Sequence, residues 1–320
     1  MLSRSAQGVY WMGRYLTRAQ YLSRLLELHV QALVDRSVEE IHFGWRRIYR
    51  AMKRLPPAGE SWLPEAEEFA LADSFTLADD LTFERSNPDS VWSSLELGRE
   101  NARQMRHCIS AEMWTCLNLA YLRIRDLETV DIWRTPETFY AQTCNEIHNF
   151  VGLADATMYR SGAWRFMRLG CAIERVQLAV SLILAQAELG RRMKRRRLGW
   201  ASMLRMHHAS EAYSRRYGIE IRRGRVLDLL VGDPLLPASL LSSVRAAAEE
   251  LEAIETGPDL EADAAARRLV GRAGALILYD WPEARDREQL LRRVDRCTRD
   301  LHGTVLDAFV DYGIQDSPLR

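Results

Sequence analysis

The chain has 320 residues, 47% of them hydrophobic and 28% charged, and its 44 basic and 44 acidic side chains cancel to a net charge of zero. That length supports one large helical domain or two smaller ones around a substantial core, and the composition excludes long disorder. The neutral balance argues against a partner held by bulk electrostatics, such as duplex DNA or an anionic membrane surface.

Within the basic total only Lys53 and Lys194 are lysines. Codon usage accounts for a large number of arginines. It does not account for an arginine set on an apolar helix face, where a planar guanidinium suits a carboxylate or a phosphate. The five cysteines, Cys108, Cys116, Cys144, Cys171 and Cys297, are odd in number and form no C-x-x-C pair. They read as reduced thiols packed as small hydrophobes, so a cytoplasmic protein is expected. The polar opening Met1 to Gln7 is unlike a secretory leader, and no uninterrupted apolar run reaches about 18 residues, so no membrane span is expected.

Helical periodicity dominates from the start. Val9, Met12, Leu16, Ala19, Ser23 and Leu26 step at three and four, and Trp11, Tyr15, Leu22 and Leu25 form a second face. A helix apolar on two faces is buried between neighbours, and this one is expected from about Gln7 to Leu33. A second covers Val38 to Leu55 and stops at Pro56-Pro57-Ala58-Gly59. Ser61 to Phe83 is acidic and reads as short helices at best. Asn87-Pro88 supplies an N-cap and a proline at the first turn of a long helix over Asp89 to Ile124. After a connection at Asp126 to Arg134, Pro136 opens a helix to about Tyr159, and Ser161-Gly162 breaks it. A helix much like the first follows over Ala163 to Leu189. The run Gly190 to Arg197 is the one strong charge block, a solvated connection beside a helix C-terminus or an anion contact. Further helices are expected over Gly199 to Tyr217, Arg223 to Leu230, Pro237 to Glu255, Leu260 to Tyr279 and Asp286 to Tyr312, with turns at Gly232-Asp233-Pro234 and Gly257-Pro258-Asp259. No period-two strand is found, so the fold class is all-α.

An internal repeat underlies this order. Met12 to Gln20 aligns with Leu169 to Gln177, matching Gly13 with Gly170, Arg18 with Arg175 and Gln20 with Gln177 in one apolar phase. Asn87-Pro88 before Ser93-Ser94 resembles Asp233-Pro234 before Ser242-Ser243. The pattern predicts a duplicated multi-helix bundle, residues 1–160 and 161–320 packed as one domain with a pseudo-two-fold relation between the halves. The copies are expected to meet at their first helices.

That centre contains the residues of interest. Arg18 lies between Trp11, Leu22 and Leu25, and Arg175 sits beside Arg168, Cys171, Ala179 and Leu182. An unpaired guanidinium on such a face is costly, so an acidic partner is required. Either a buried Arg–Glu pair fixes the register, with Glu174, Glu100 or Glu112 as the acid, or a ligand carboxylate or phosphate occupies the place.

At these residues the chain resembles the bacterial alpha-E family of helical proteins with Glu-Arg motifs. The resemblance is carried by Met1-Leu2-Ser3-Arg4, by Tyr10 to Ala19, by Arg24-Leu25-Leu26, by Arg99 to Arg103 with Glu112-Met113-Trp114, by Trp164 to Gly170 with Glu174-Arg175, and by Val226 to Leu230 with Asp233-Pro234. It spans essentially the whole chain. Thr17 stands where the family's first motif has its acid, and Cys171 stands where arginine is usual. These departures point to a divergent branch with one degenerate site. The resemblance implies a partner: alpha-E proteins accompany circularly permuted ATP-grasp proteins, which join a carboxylate to an amine through an acyl phosphate. A transglutaminase-like protein and a proteasome-related peptidase are common neighbours. The expected role is a non-catalytic or co-catalytic subunit holding a small acidic peptide or acyl phosphate. Arg14, Arg18, Arg103, Arg168 and Arg175 would hold the anion, with Glu100 and Glu174 orienting them.

Other chemistry is sparse. There is no phosphate-binding G-x-x-x-x-G-K-[ST] loop, no dinucleotide fingerprint and no H-E-x-x-H, so no cofactor and no metal are expected. His207-His208 are adjacent and would face different sides of a helix. Cys144 and His148, four apart on an expected helix, are the only nucleophile pair for a stand-alone enzyme acting on amides or peptides. Arg191 to Arg197 is the only footing for a helical RNA-binding module, against which the neutral net charge counts.

Overall fold

The structure, a computed structural model, describes residues 3–57, 67–192, 199–257 and 259–309. It is all-α, with no strand among the described residues. The first half holds α1 (Ser3–Val30), α2 (Val38–Met52), α3 (Glu67–Thr82), α4 (Val91–Gln104), α5 (Ala111–Ile124), the single turn α6 (Thr129–Ile132) and α7 (Pro136–Thr157). The second holds α8 (Gly162–Arg192), α9 (Trp200–Met206), α10 (Ser210–Tyr217), α11 (Arg223–Gly232), α12 (Leu240–Ala253) and α13 (Leu260–Ala275). A π-helical turn over Leu276–Asp280, the short α14 (Trp281–Glu283) and α15 (Arg287–Phe309) complete it.

The packing follows one circuit twice. In the first half α1 packs on α4 and α7, α4 on α5, and α5 on α7; in the second α8 packs on α12 and α15, α12 on α13, and α13 on α15. The two long helices α1 and α8 make the most extensive pairing in the molecule. Both are buried along most of their length, which is why each is apolar nearly all round. Two glycines allow the close approach. A Cβ on Gly13 would stand 2.4 Å from the Met167 carbonyl oxygen, and one on Gly170 would stand 2.3 Å from that of Tyr10. The apolar window of α8 is long enough to cross a membrane by composition alone, but 78% of it is buried within the bundle, as in a core helix.

Several expected elements differ. The long helix over Asp89 to Ile124 is two helices. The Ser90 side chain, rather than Asn87, caps α4 by accepting from the Ser93 amide, and Ser110 caps α5 by accepting from the Met113 amide. Ser110 with Glu112 in the following turn is an N-terminal signature that outweighs the apolar period running through it. The acidic stretch before Phe83 contains one 16-residue helix, α3. Tertiary packing decided that, through Trp45 donating to Ser74 and Tyr49 donating to Asp80 from α2. The expected helix over Gly199 to Tyr217 is broken at His207-His208-Ala209, where His208 takes a left-handed φ of 50°. A non-glycine residue held there costs on the order of 1 kcal/mol or more and marks a place where other contacts set the backbone. Of the charge block, residues 193–198 lie outside the described residues.

Candidate functional site: a buried ion cluster and the cavity beside it

Glu174 and Arg175 are neighbours on α8, so their side chains leave the helix on different sides, about 100° apart. Glu174 points into the α1–α8 seam and is 2% exposed. There it accepts from two arginines one turn apart on α1: Arg14 Nε donates to Oε2 at 2.6 Å and Arg18 Nε donates to Oε1 at 2.8 Å. Arg14 also donates to the Gln177 side-chain oxygen at 2.8 Å, and Arg18 to Asp89. Burial alone would raise the Glu174 carboxyl, but the two guanidinium groups more than offset it and hold the pKa below the ordinary value. Tyr10 and His302 close one end. Their hydroxyl and ring nitrogen are 2.8 Å apart, and burial, with Arg14 nearby, pushes His302 down to about 4, so its ring is neutral. Every strong donor and acceptor here has a partner within the chain, and the cluster is structural.

The remaining expected site residues do not join it. Glu100 and Arg103 pair with each other at 2.6 Å on the outer face of α4. Their i,i+3 spacing satisfies both locally, and neither reaches the cavity described next. Arg168 lies over the Trp164 ring at 5.5 Å from its centroid and 3.9 Å from Glu250 of α12. The expected strip of five arginines is therefore dispersed: Arg14 and Arg18 are neutralised in the seam, Arg103 is at the surface, and Arg168, held by Trp164 and Glu250, reaches only a small lobe beside Arg175.

Arg175 is the exception. It points away from the seam into a cavity of about 330 Å³ walled by α1, α7, α8 and the corner between α9 and α10. No hydrogen bond, ion pair or ring contact to its guanidinium occurs among the described residues. Burial, together with Arg168, lowers its pKa from the usual arginine value. A mostly buried guanidinium with no counter-charge calls for one from outside.

The other walls are polar in a consistent way. Thr17, Gln20, Tyr21, Arg24 and Glu27 form one stripe of α1, and His148, His207 and His208 line the cavity from α7 and the α9–α10 corner. The Tyr21 hydroxyl and His207 Nε2 are buried without partners, and so is Arg24 Nε, although Arg24 pairs with Glu27 at 2.8 Å. Burial pushes His207 down to about 4. His148 and His208, whose ring centroids are 6.5 Å apart, are also lowered, first by burial and then by neighbouring cations, Arg175 and Arg24 for His148 and Arg24 for His208. The three rings are neutral at pH 7 and act as hydrogen-bonding groups around cationic arginines. Behind Tyr21, Arg47 is buried with no carboxylate partner among the described residues, donating to Gln186 at 2.9 Å and Ser202 at 2.8 Å. It adds to the positive field.

Cys144 lies in the same wall, but its thiol donates to the Gln20 carbonyl at 3.5 Å and makes no hydrogen bond to His148. Burial pushes that thiol up to about 12, so the thiolate a nucleophile needs is absent at neutral pH. Among the described residues no group of three or more His, Cys, Asp or Glu could hold a metal ion.

Residues 1–310 match the Alpha-E family, described as a predicted alpha-helical domain with a conserved ER motif. The chain belongs to this family. No curated protein and no solved structure matches it significantly. This Alpha-E chain has two Glu-Arg dipeptides, Glu84-Arg85 and Glu174-Arg175, and in the second the geometry gives the two residues different work: the acid ties α1 to α8, and the base faces the cavity. The alignment to Arg18 pointed to Arg175. Sequence reasoning missed Gln20, Tyr21 and Arg24, whose signal was a polar stripe at three- and four-residue steps on a helix otherwise apolar all round.

Proposed function

We propose that this Alpha-E chain is a helical accessory subunit of an ATP-grasp system that forms amide or peptide bonds, and that its cavity holds the acidic or phosphorylated ligand. One observation carries the reading: Arg175, without a partner among the described residues, presents its guanidinium to a half-open recess large enough for a small molecule or a peptide residue. The neutral imidazoles and the Gln20 amide around it suit a ligand with further polar groups. The Cys144 thiol, protonated and bonded to a backbone carbonyl, weighs against a stand-alone thiol enzyme, so the chemistry is assigned to the partner. The ATP-grasp partner itself rests on the family resemblance, as does a cytoplasmic setting. The repeated packing circuit supports the further proposal that residues 1–160 and 161–320 are copies of one ancestral unit.

The test is a product assay with the purified ATP-grasp neighbour and its amine and acid substrates. Product that appears only when the Alpha-E chain is added, and is lost when Arg175→Met replaces the wild type, is expected. Equal product from the ATP-grasp protein alone would overturn the accessory role.

A further inference from the structure

The seam between α1 and α8 is built from equivalent positions. Gly13 meets the Met167 carbonyl and Gly170 meets the Tyr10 carbonyl, at 2.4 and 2.3 Å from an added Cβ. The offset that takes Gly13 to Gly170 also takes Tyr10 to Met167, so the two contacts are images of one another. The same offset takes Arg18 to Arg175, Gln20 to Gln177, Thr17 to Glu174 and Arg14 to Cys171.

On one side of the seam all four equivalent places are filled by a charge network. Glu174 takes Arg14 at 2.6 Å and Arg18 at 2.8 Å, and Gln177 takes Arg14 at 2.8 Å. On the other side the arginine and the glutamine remain, as Arg175 and Gln20, but the acid and the second arginine are missing. Thr17 stands in the place of the glutamate. Cys171 stands in the place of Arg14 and donates to the Gly13 carbonyl at 3.4 Å. The side chains of Arg175 and Gln20 have no hydrogen-bond partner among the described residues. Space is left there too: a lobe of about 20 Å³ touches Thr17, Gln20, Cys171, Arg175 and a second guanidinium, Arg168, and the 330 Å³ cavity opens beside Thr17, Gln20 and Arg175.

We propose that a ligand carboxylate takes the place of the missing glutamate, held by the Arg175 guanidinium and the Gln20 side-chain amide. The proposal rests on the cavity being a ligand site and adds the ligand's chemistry: a small carboxylic acid, or an acidic side chain or C-terminus of a peptide. A guanidinium suits a carboxylate, and on the filled side Arg14 and Arg18 each take one oxygen of Glu174. The body of the ligand lies along Val151, Met206 and Pro237, with Arg24, His148 and His208 in reach of its other polar groups.

The experiment titrates full-length protein with glutarate, the free-acid counterpart of a glutamate side chain, by isothermal calorimetry, and follows thermal unfolding in parallel. The wild type binds glutarate saturably. Thr17→Glu supplies the missing acid from within, so glutarate affinity falls at least tenfold while Tm rises. Arg175→Met loses glutarate binding at least tenfold with the fold intact. If Arg175→Met abolishes binding but Thr17→Glu binds as the wild type does, the cavity remains a ligand site and the vacated-glutamate arrangement is wrong. If neither substitution changes glutarate binding, or the wild type binds neither glutarate nor inorganic phosphate, both readings fall. Inorganic phosphate is the second probe. Phosphate that binds where glutarate does not assigns the cavity to phosphoryl groups and overturns the carboxylate. A Thr17→Glu chain that does not fold also overturns it, because the proposal requires room for that side chain beside Arg175.

Discussion

The two sides of the α1–α8 seam hold equivalent residues in opposite electrostatic states. On one, Arg14 and Arg18 share Glu174, and each buried charge has its counter-charge within hydrogen-bonding distance. On the other, Arg175 and Gln20 face a cavity, their side chains without partners among the described residues. The difference teaches how one packing scheme produces both a structural clasp and a ligand site. A buried guanidinium requires an anion, and whether the chain or the solvent side supplies it decides its role.

The comparison is most severely tested on its filled side. Glu174→Gln leaves two guanidinium groups in the seam without their carboxylate, and a loss of about 3–5 kcal/mol in unfolding free energy is expected by urea denaturation. A loss under 1 kcal/mol would mean that the cluster does not hold the helices. Acidification probes the other side. His207 is neutral in the fold at about 4, against about 6.5 when unfolded, so its contribution is present above pH 6.5 and is lost as pH falls toward 4. The slope amounts to on the order of 3 kcal/mol over that window, and His207→Gln should flatten it in denaturation curves taken at pH 7, 5.5 and 4.

The glycines test the equivalence itself. Gly13→Ala and Gly170→Ala each force a methyl against a backbone carbonyl, and each should cost about 1–3 kcal/mol. Costs that differ severalfold would break the symmetry on which the comparison stands. Arg175→Met removes a charge with no partner among the described residues and leaves an apolar stem, so stability should change by less than about 1 kcal/mol, in either direction. Glu100→Gln has the smallest effect. Its partner Arg103 is exposed, so neither Tm nor ligand binding should move.

Much of the fold was legible because it rests on period and punctuation. The apolar stripes of α1 and α8, Pro136 at the head of α7 and the turn at Asp233-Pro234 all lie where expected, since each is a local matter. The misread segments were those in which a local cap or a distant contact overrode the period: Ser110 splitting α4 from α5, the corner at His208 dividing α9 from α10, and α3, drawn into helix against Trp45 and Tyr49 of α2. The site was legible only in part. Alignment of the first helices of the two halves singled out Arg18 and Arg175 together, and nothing in their spacing showed that one is paired and the other is not.

The sequence alone determined the all-helical class, the family and the arginines worth asking about, because residue type and periodicity are properties of the chain itself. Which guanidinium has an acid beside it was decided only in three dimensions. Pairing across a seam depends on which side of each helix meets its neighbour, and Glu174 can reach Arg14 and Arg18 only because Gly13 and Gly170 let the two backbones come together.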